Sequence, residues 1–549
     1  MPEGLLQAAE LMVSCLESEG VERIFAIPGE ETLEIVEALR RSPIEIVIVR
    51  HEQGAAFMAD VHGRLTGRAG VCLGTLGPGA TNLITGIADA FLDYAPMVAI
   101  TGQVRLDLVH KESHQYVDVV DMLRPVTKWN ARIERPETVP EVVRKAFKLA
   151  EAERPGPAHL ELSETIAAAE LPSSARPLAK SLHGPTRPDQ AAVREAAAIV
   201  RAARRPVILT GNGTIRARAA AELRAFCGHA GIPACPTFMG KGALDDRSLL
   251  SLPAVGVQAR DSMTAGLDEA DVVVCVGYDL VEFAPQAWNG EQRKRIVHVD
   301  ARAAEVDADY IPEVELVGDV GETLRLLRQE LPPGQVPPYA TRLRVAITTE
   351  LRATVERPGF VSPQAAILAI RAAMAPGDIL ISDVGAHKLW LGRLFPAYEP
   401  NTVVISNGFA TMGIGLPGAI AAALAQPERR AVTVSGDGGF LMNVQEMETA
   451  RRLGLPVVVV VWVDGAYGVI GWKQERRFGR THAIEFGNPG WAELASSFGW
   501  SHRHATGGEA LRAALEAALA EGGPALVTVP IDYRQNVRLA SLGEPALGA

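Results

Sequence analysis

The sequence predicts an α/β protein built from three doubly wound parallel-sheet domains. Ten short runs are apolar and rich in β-branched residues, as strands buried on both faces read: IEIVIVRH, GVCLGTLGPG and PMVAITG, then PVILTGNG, ADVVVCVGYD and RIVHVD, then DILISDVG, AVTVSGDGG, PVVVVVWVDG and ALVTVPID. Segments long enough for a helix separate them, an alternation that lays helices on both faces of a parallel sheet. Two polar, proline-rich intervals, Leu171 to Pro188 and Leu331 to Arg342, divide the pattern into thirds and read as linkers. The expected domains are 1–170, 189–330 and 358–540.

A chain of 549 residues suits three domains at roughly 100–200 residues each. With 48% hydrophobic and 22% charged residues it can fill buried cores, which excludes a disordered chain. A net charge of −11 gives no global attraction to nucleic acid or an anionic membrane, so the expected partner is a small molecule. The cysteines, Cys15, Cys72, Cys227, Cys235 and Cys275, are odd in number and include no CxxC pair. They point to reduced, buried thiols in a cytoplasmic protein rather than to disulfides or zinc. The acidic, amphipathic start MPEGLLQAAELMVSCLESEG lacks the basic flank and apolar core of a secretory signal, and PVVVVVWV is too short to cross a bilayer.

In the first domain, RHEQGAAFMADVHGR closes the strand IEIVIVRH and opens a small-residue helix. Glu52 at that junction is expected to be poorly solvated, which raises a carboxyl pKa and suits it to hold a proton. A plain helix N-terminal acid is the alternative use of the same residue. In the middle domain, TGNG reads as a tight strand-to-helix turn without a ligand. In the third, Gly436, Gly438 and Gly439 would let backbone amides approach a phosphate at a helix start, yet Asp437 among them opposes an anion. A divalent cation between them removes the conflict, because Mg²⁺ takes one or two carboxylates with phosphate oxygens and water. Asp464 follows 27 positions later, the length of one helix and one returning strand, and offers the second carboxylate. Taken singly, each aspartate reads as a turn or cap residue rather than as a metal ligand.

Gly436-Asp437-Gly438, twenty-five residues and then Asp464 resembles the thiamine diphosphate and magnesium signature. The likeness covers nearly the whole chain, through VPIDYRQNVRLAS, and is specifically to the acetolactate synthase family. It implies pyrimidine-binding, middle and diphosphate-binding domains. It implies Asp437, Asp464 and the carbonyl of Ala466 as Mg²⁺ ligands, with Gly436, Gly438, Gly439, Tyr467, Gly468 and Val469 around the diphosphate. Glu52 would bond N1′ of the aminopyrimidine and thereby activate the cofactor. From SNGFATMGIGLPG, Ala410 would offer its carbonyl to the pyrimidine amine and Met412 would wedge between the rings, although a flexible core methionine at a helix start is the plain alternative. From DVGAHKLW, Gly385, Ala386 and His387 would meet the diphosphate; His387 alone would be an ordinary surface or capping residue. Pro28, Gly29, Thr75, Pro78 and Asn82 would line the pyrimidine and substrate cavity, and His114, Gln115, Trp472 and Lys473 would face the substrate.

Within the family the chain looks like the catabolic, FAD-independent branch. SHQYVD carries Gln115, YEPNTVVISNG and FGNP match that branch, IDYR-type ends recur, and CVGYDLVEFAPQAWN replaces the RFDDR-like run of flavin-dependent members. Two positions depart from the pattern: Lys473, where relatives have Trp or Gln, and Glu31, where some catabolic members have Lys. The resemblance implies condensation of two pyruvates to 2-acetolactate and CO2 by a dimer or tetramer with sites between subunits. The pathway, branched-chain amino acids or acetoin, stays open. A 2-oxo acid decarboxylase would carry an adjacent His pair, whereas His110 and His114 are separated; a glyoxylate-type carboligase would lack Glu52. A silent diphosphate-binding protein would have no reason to keep Glu52.

Overall fold

All ten apolar runs form strands in the computed structural model, which describes residues 5–181, 186–256, 265–354 and 357–539. Each valine buried in such a strand contributes about 1.5–3 kcal/mol. Val458–Val463, VVVVWV, therefore forms a central strand with no polar face. In chain order the first segment gives β1 (Leu5–Gln7), β2 (Arg23–Ala26), β3 (Glu45–Ile48), β4 (Gly70–Gly74), β5 (Met97–Gln103), β6 (Trp129–Arg132), β7 (Pro157–Ser163) and β8 (Glu170–Pro172). The middle segment gives β9 (Pro206–Thr210), β10 (Ala234–Pro236), β11 (Val272–Val276), β12 (Arg295–Asp300) and β13 (Val314–Val317). The third gives β14 (Ile379–Ser382), β15 (Val403–Ile405), β16 (Ala431–Gly436), β17 (Val458–Val463), β18 (Ser501–His504) and β19 (Ala525–Pro530).

Among the described residues these make three parallel sheets, ordered β3-β2-β4-β5-β7-β6, β10-β9-β11-β12-β13 and β15-β14-β16-β17-β19-β18. Counted within each sheet, the first and third have the same order, second-first-third-fourth-sixth-fifth. In every sheet the direction of winding reverses between its first and third strands, and open α/β sheets bind ligands just beyond the strand ends at that reversal. The crevices to inspect lie after β2 and β4, after β9 and β11, and after β14 and β16.

Both linker readings need correction at one end. Leu171 and Pro172 belong to β8, which pairs antiparallel with β1, so that interval begins as structure. Residues 182–185 of it lie outside the described residues. The interval from Leu331 to Arg342 runs into a helix, Pro338–Arg352, because a proline at the first helical position starts a helix rather than breaking one. Residues 1–4 of the first expected domain and 540 of the third also lie outside the described residues, as do 540 and 541 of the C-terminal motif.

The chain folds as two compact units. One contains Met1–His183 with Gly408–Pro427 and Asn443–Leu455; the other contains Gly184–Asn407, Glu428–Met442 and Pro456–Ala549. Two stretches of the third segment thus pack with the first sheet, where the helix Gly415–Ala425 lies on the helix Glu52–Thr66. No helix among the described residues is long and apolar enough to cross a membrane.

Candidate active site

In the first unit the turns after β2 and β4 meet. A Cβ on Gly29 would lie 2.3 Å from Thr75 Cβ, so only glycine lets the Pro28-Gly29 turn come this close. Thr75 Oγ1 donates to Glu31 Oε2 at 2.6 Å. Gly77 has φ +51°, and a Cβ there would sit 2.7 Å from the Gln115 carbonyl oxygen, so the loop carrying His114 and Gln115 rests on this turn. Both of those side chains are exposed, and Gln115 itself has φ +56°.

Glu52 starts the helix Glu52–Thr66, is only 8% exposed, and accepts a hydrogen bond from Asn82 Nδ2 at 2.9 Å. Asn82 comes from the helix Pro78–Leu92, which the Gly77 turn launches. Pro28, Gly29, Thr75, Pro78, Asn82 and Glu52 are thus gathered by the first crevice. Ala410 and Met412 belong to the same unit and precede the helix Gly415–Ala425. Ala410 has φ +58°; beside it, Thr411 Oγ1 donates to Asp89 Oδ1 at 2.6 Å and the Gly408 amide donates to Asp93. Asp89, Asp93 and Asp60 surround the buried Arg64 guanidinium, which anchors this loop to the first sheet's helices. Met412 is half-buried.

In the second unit the turns after β14 and β16 meet. His387 is buried between them: a Cβ on Gly385 would lie 2.8 Å from its ring, and one on Gly436 3.3 Å. Burial pushes its pKa down to about 3, so the imidazole is neutral, and Nε2 has no hydrogen-bond partner among the described residues. Surface or capping use does not describe this residue. A Cβ on Gly439 would lie 3.2 Å from the buried Asp383 carboxylate, and Ser435 Oγ donates to that carboxylate at 3.1 Å.

Asp437 is buried. Its Oδ2 accepts from Gly465 N (2.7 Å), Asn488 Nδ2 (2.8 Å) and Asp464 N (3.2 Å), and its Oδ1 from Gly438 N (3.0 Å). The 27-residue spacing therefore brings the two aspartates together. Burial and then the Asp437 charge push the Asp464 carboxyl up to about 7. A divalent cation reverses that logic, because it makes two facing carboxylates favourable rather than costly. A Cβ on Gly468 would lie 2.5 Å from Asp464 Oδ2, so this glycine is required where the carboxylate turns in. The described residues contain no cluster of three or more His, Cys, Asp or Glu that could hold a metal. The donor set, two carboxylates with backbone carbonyls close by, suits a Mg²⁺ whose remaining ligands are phosphate oxygens and water. Ala466 lies in the turn after Asp464, and Tyr467, Gly468 and Val469 lead into the helix Gly468–Phe478. On that helix Trp472 packs on the core while Lys473 is exposed.

The chain matches three models of the thiamine pyrophosphate enzymes: the N-terminal TPP binding domain at residues 6–122, the central domain at 193–327 and the C-terminal TPP binding domain at 383–529. It is 34% identical to the acetolactate synthase of Bacillus subtilis over 97% of this chain and 95% of that protein. It is 36% identical to the catabolic acetolactate synthase of Raoultella terrigena, over 96% and 95%. It is 32% identical to the large subunit of acetolactate synthase isozyme 2 of Escherichia coli, over 97% of each. The chain belongs to the acetolactate synthase family of thiamine pyrophosphate enzymes. Its class is therefore that of a thiamine diphosphate-dependent enzyme.

In this acetolactate synthase family member the middle crevice is filled by the chain itself. Glu282 is 1% exposed, and its carboxylate accepts from the Asn212 amide (3.0 and 3.1 Å), the Asp279 amide (3.2 Å) and Thr237 Oγ1. A Cβ on Gly211 would lie 2.6 Å from Glu282 Oε1. The carboxylate thus stands at the TGNG turn, where a bound phosphate would stand in a sheet of this order.

Sequence reasoning missed four residues beside the crevices: Glu282, Asp383, Glu446 and Asn488. Glu446 Oε1 accepts from the Arg50 and His51 amides at 3.0 and 3.1 Å, next to Glu52. Asn488 falls in FGNP, a motif that marked the branch but carried no role.

Proposed function

We propose that the protein decarboxylates pyruvate and couples the two-carbon remainder to a second pyruvate, giving 2-acetolactate and CO2 with thiamine diphosphate and Mg²⁺. The likeness to acetolactate synthases over 97% of the chain carries this reading. Bound thiamine diphosphate supplies the electron sink for the pair left when CO2 departs. Asp437, Asp464 and the Ala466 carbonyl hold the cation, and the turns at Gly385, Ala386, His387, Gly436, Gly438 and Gly439 hold the diphosphate with Tyr467, Gly468 and Val469. Glu52 would hold a proton at the pyrimidine, the Ala410 carbonyl would accept from its amine, and Met412 would pack against the bound cofactor. Pro28, Gly29, Thr75, Pro78 and Asn82 wall the cavity, while His114, Gln115, Trp472 and Lys473 meet the 2-oxo acids.

The groups assigned to the pyrimidine and to the diphosphate lie in different units of the chain, and by family habit two subunits join them. The working form is therefore at least a homodimer, and a tetramer by the same habit. FAD is not required: Glu282 occupying the middle crevice supports this, since it takes the amide a flavin's phosphate would use. The domains run 1–170, 189–330 and 358–540. Five free cysteines, all buried, suit a cytoplasmic location.

The test is product analysis of the purified protein supplied with thiamine diphosphate, Mg²⁺ and pyruvate, with no flavin added. One 2-acetolactate and one CO2 per two pyruvates are expected. Acetaldehyde as main product would make the protein a decarboxylase, and a requirement for added FAD would remove it from the flavin-free branch.

A further inference from the structure

The segment Ile484–Asn488 lies antiparallel to the turn after β17 and covers it. The Tyr467 amide donates to the Ile484 carbonyl (2.9 Å), the Phe486 amide donates to the Gly465 carbonyl (3.0 Å), and Ala466 pairs with Glu485. The Tyr467 and Phe486 rings meet at 5.0 Å, and both lie 3.1 Å from where a Cβ on Gly438 would be. Backbone pairing and an aromatic contact thus clip this strap onto the glycine turn that carries Asp437.

The strap ends at Asn488, whose Nδ2 donates to Asp437 Oδ2 at 2.8 Å. A carboxylate only accepts, so this contact fixes which way the amide points. Its oxygen must face away, and Oδ1 is shut off from solvent with no hydrogen-bond partner among the described residues. An amide oxygen left so is destabilising unless something donates to it or binds it. With Asn488 in place, Asp437 Oδ2 has three donors among the described residues and Oδ1 has the Gly438 amide alone. Oδ1 is therefore the carboxylate oxygen left for a cation.

We propose that Asn488 is a positioning residue of the divalent-cation centre. Its Nδ2 occupies Asp437 Oδ2 and so turns Oδ1 toward the cation, and its own Oδ1 accepts a hydrogen bond from a water that the cation holds. The proposal rests on Asp437 and Asp464 being cation ligands, and it adds a side chain on a separate segment that sets their geometry.

The experiment measures Mn²⁺ affinity by electron paramagnetic resonance with saturating thiamine diphosphate, alongside the melting temperature of the metal-free full-length protein. Residues that orient metal ligands typically change affinity about 10- to 100-fold. Asn488→Ala should weaken Mn²⁺ by that factor, leave the metal-free melting temperature in place, and shrink the stabilisation that Mn²⁺ with thiamine diphosphate confers. If Asn488→Ala does not fold, Asn488→Leu, which keeps the volume and removes both polar atoms, should show the same loss. Wild-type Mn²⁺ affinity in the folded variant, with affinity lost in Asp437→Ala, would overturn the role of Asn488 alone. Wild-type affinity in Asp437→Ala as well would overturn the cation reading beneath it.

Discussion

A single carboxylate, Glu52, shows how position gives a residue its chemistry. It follows a strand and starts a helix, so its side chain is buried while the backbone around it stays hydrogen-bonded. Glu52→Gln keeps size and polarity, and Asn82 can still donate to the remaining amide oxygen, so the fold and cation binding should survive. Turnover of pyruvate should fall by about 10²- to 10⁴-fold, the usual share of a group that holds a proton in the reaction. Steady-state rates together with an unchanged melting temperature check this, and near-normal turnover would remove Glu52 from the reaction. That Glu52, Asp437 and Asp464 follow strand ends was legible as a local signal, while their roles came only with the resemblance to a family. Asn488 and Glu446 were not legible, because their partners lie 51 and 395 positions away and nothing nearby in sequence hints at the contact.

The same contrast holds for whole elements. Central strands such as β5 and β17 are buried on both faces and therefore readable as apolar runs. Two edge strands are short and polar, β6 (WNAR) and β18 (SHRH), and no apolar run marks them; each pairs along the free edge of a strand distant in sequence. The proline-rich stretch before Pro338 misled for a different reason, since the same proline that breaks a helix inside can begin one. Element starts also depend on remote side chains, and the helix carrying Glu52 is an example. Glu446 takes the two amides just before it, and Gly54 has no side chain because a Cβ would meet Glu446 Oε1 at 2.8 Å. Glu446→Ala would strand two part-buried donors, each costing at most about 1–3 kcal/mol when nothing replaces the acceptor. The melting temperature should therefore drop, with faster amide exchange at Arg50 and His51. Wild-type exchange there would mean that water replaces the carboxylate at no cost.

Across the molecule, the first and third sheets repeat one winding order, and each gathers its sequence-marked turns at the reversal of winding. The middle sheet reverses at the corresponding place but closes its crevice with Glu282, which the sequence pattern alone did not reveal because the carboxylate comes from beyond a different strand. Buried ionisable groups at these sheets make stability depend on pH in two opposing ways. Burial and the Asp279 charge push Glu282 up to about 8, so its contribution is present at low pH and lost as pH rises from its unfolded value toward 8. His159, on β7, behaves oppositely. It is fully buried, shares a 2.8 Å hydrogen bond between Nε2 and Thr101 Oγ1, leaves Nδ1 without a partner among the described residues, and has its pKa pushed down to about 3 by burial. The unfolded chain takes a proton on this residue below about pH 6.5 while the folded chain does not. Its stabilising contribution is therefore complete above that pH and falls by about 1.4 kcal/mol per unit as pH drops toward 3. The wild-type profile mixes both signs, but the difference between wild type and His159→Gln isolates one of them. Denaturant unfolding of the metal-free proteins at pH 7 and pH 4.5 should show wild type losing about 2–3 kcal/mol relative to the variant over that interval. Parallel pH profiles in the two proteins would mean that His159 titrates in the folded chain much as it does in water.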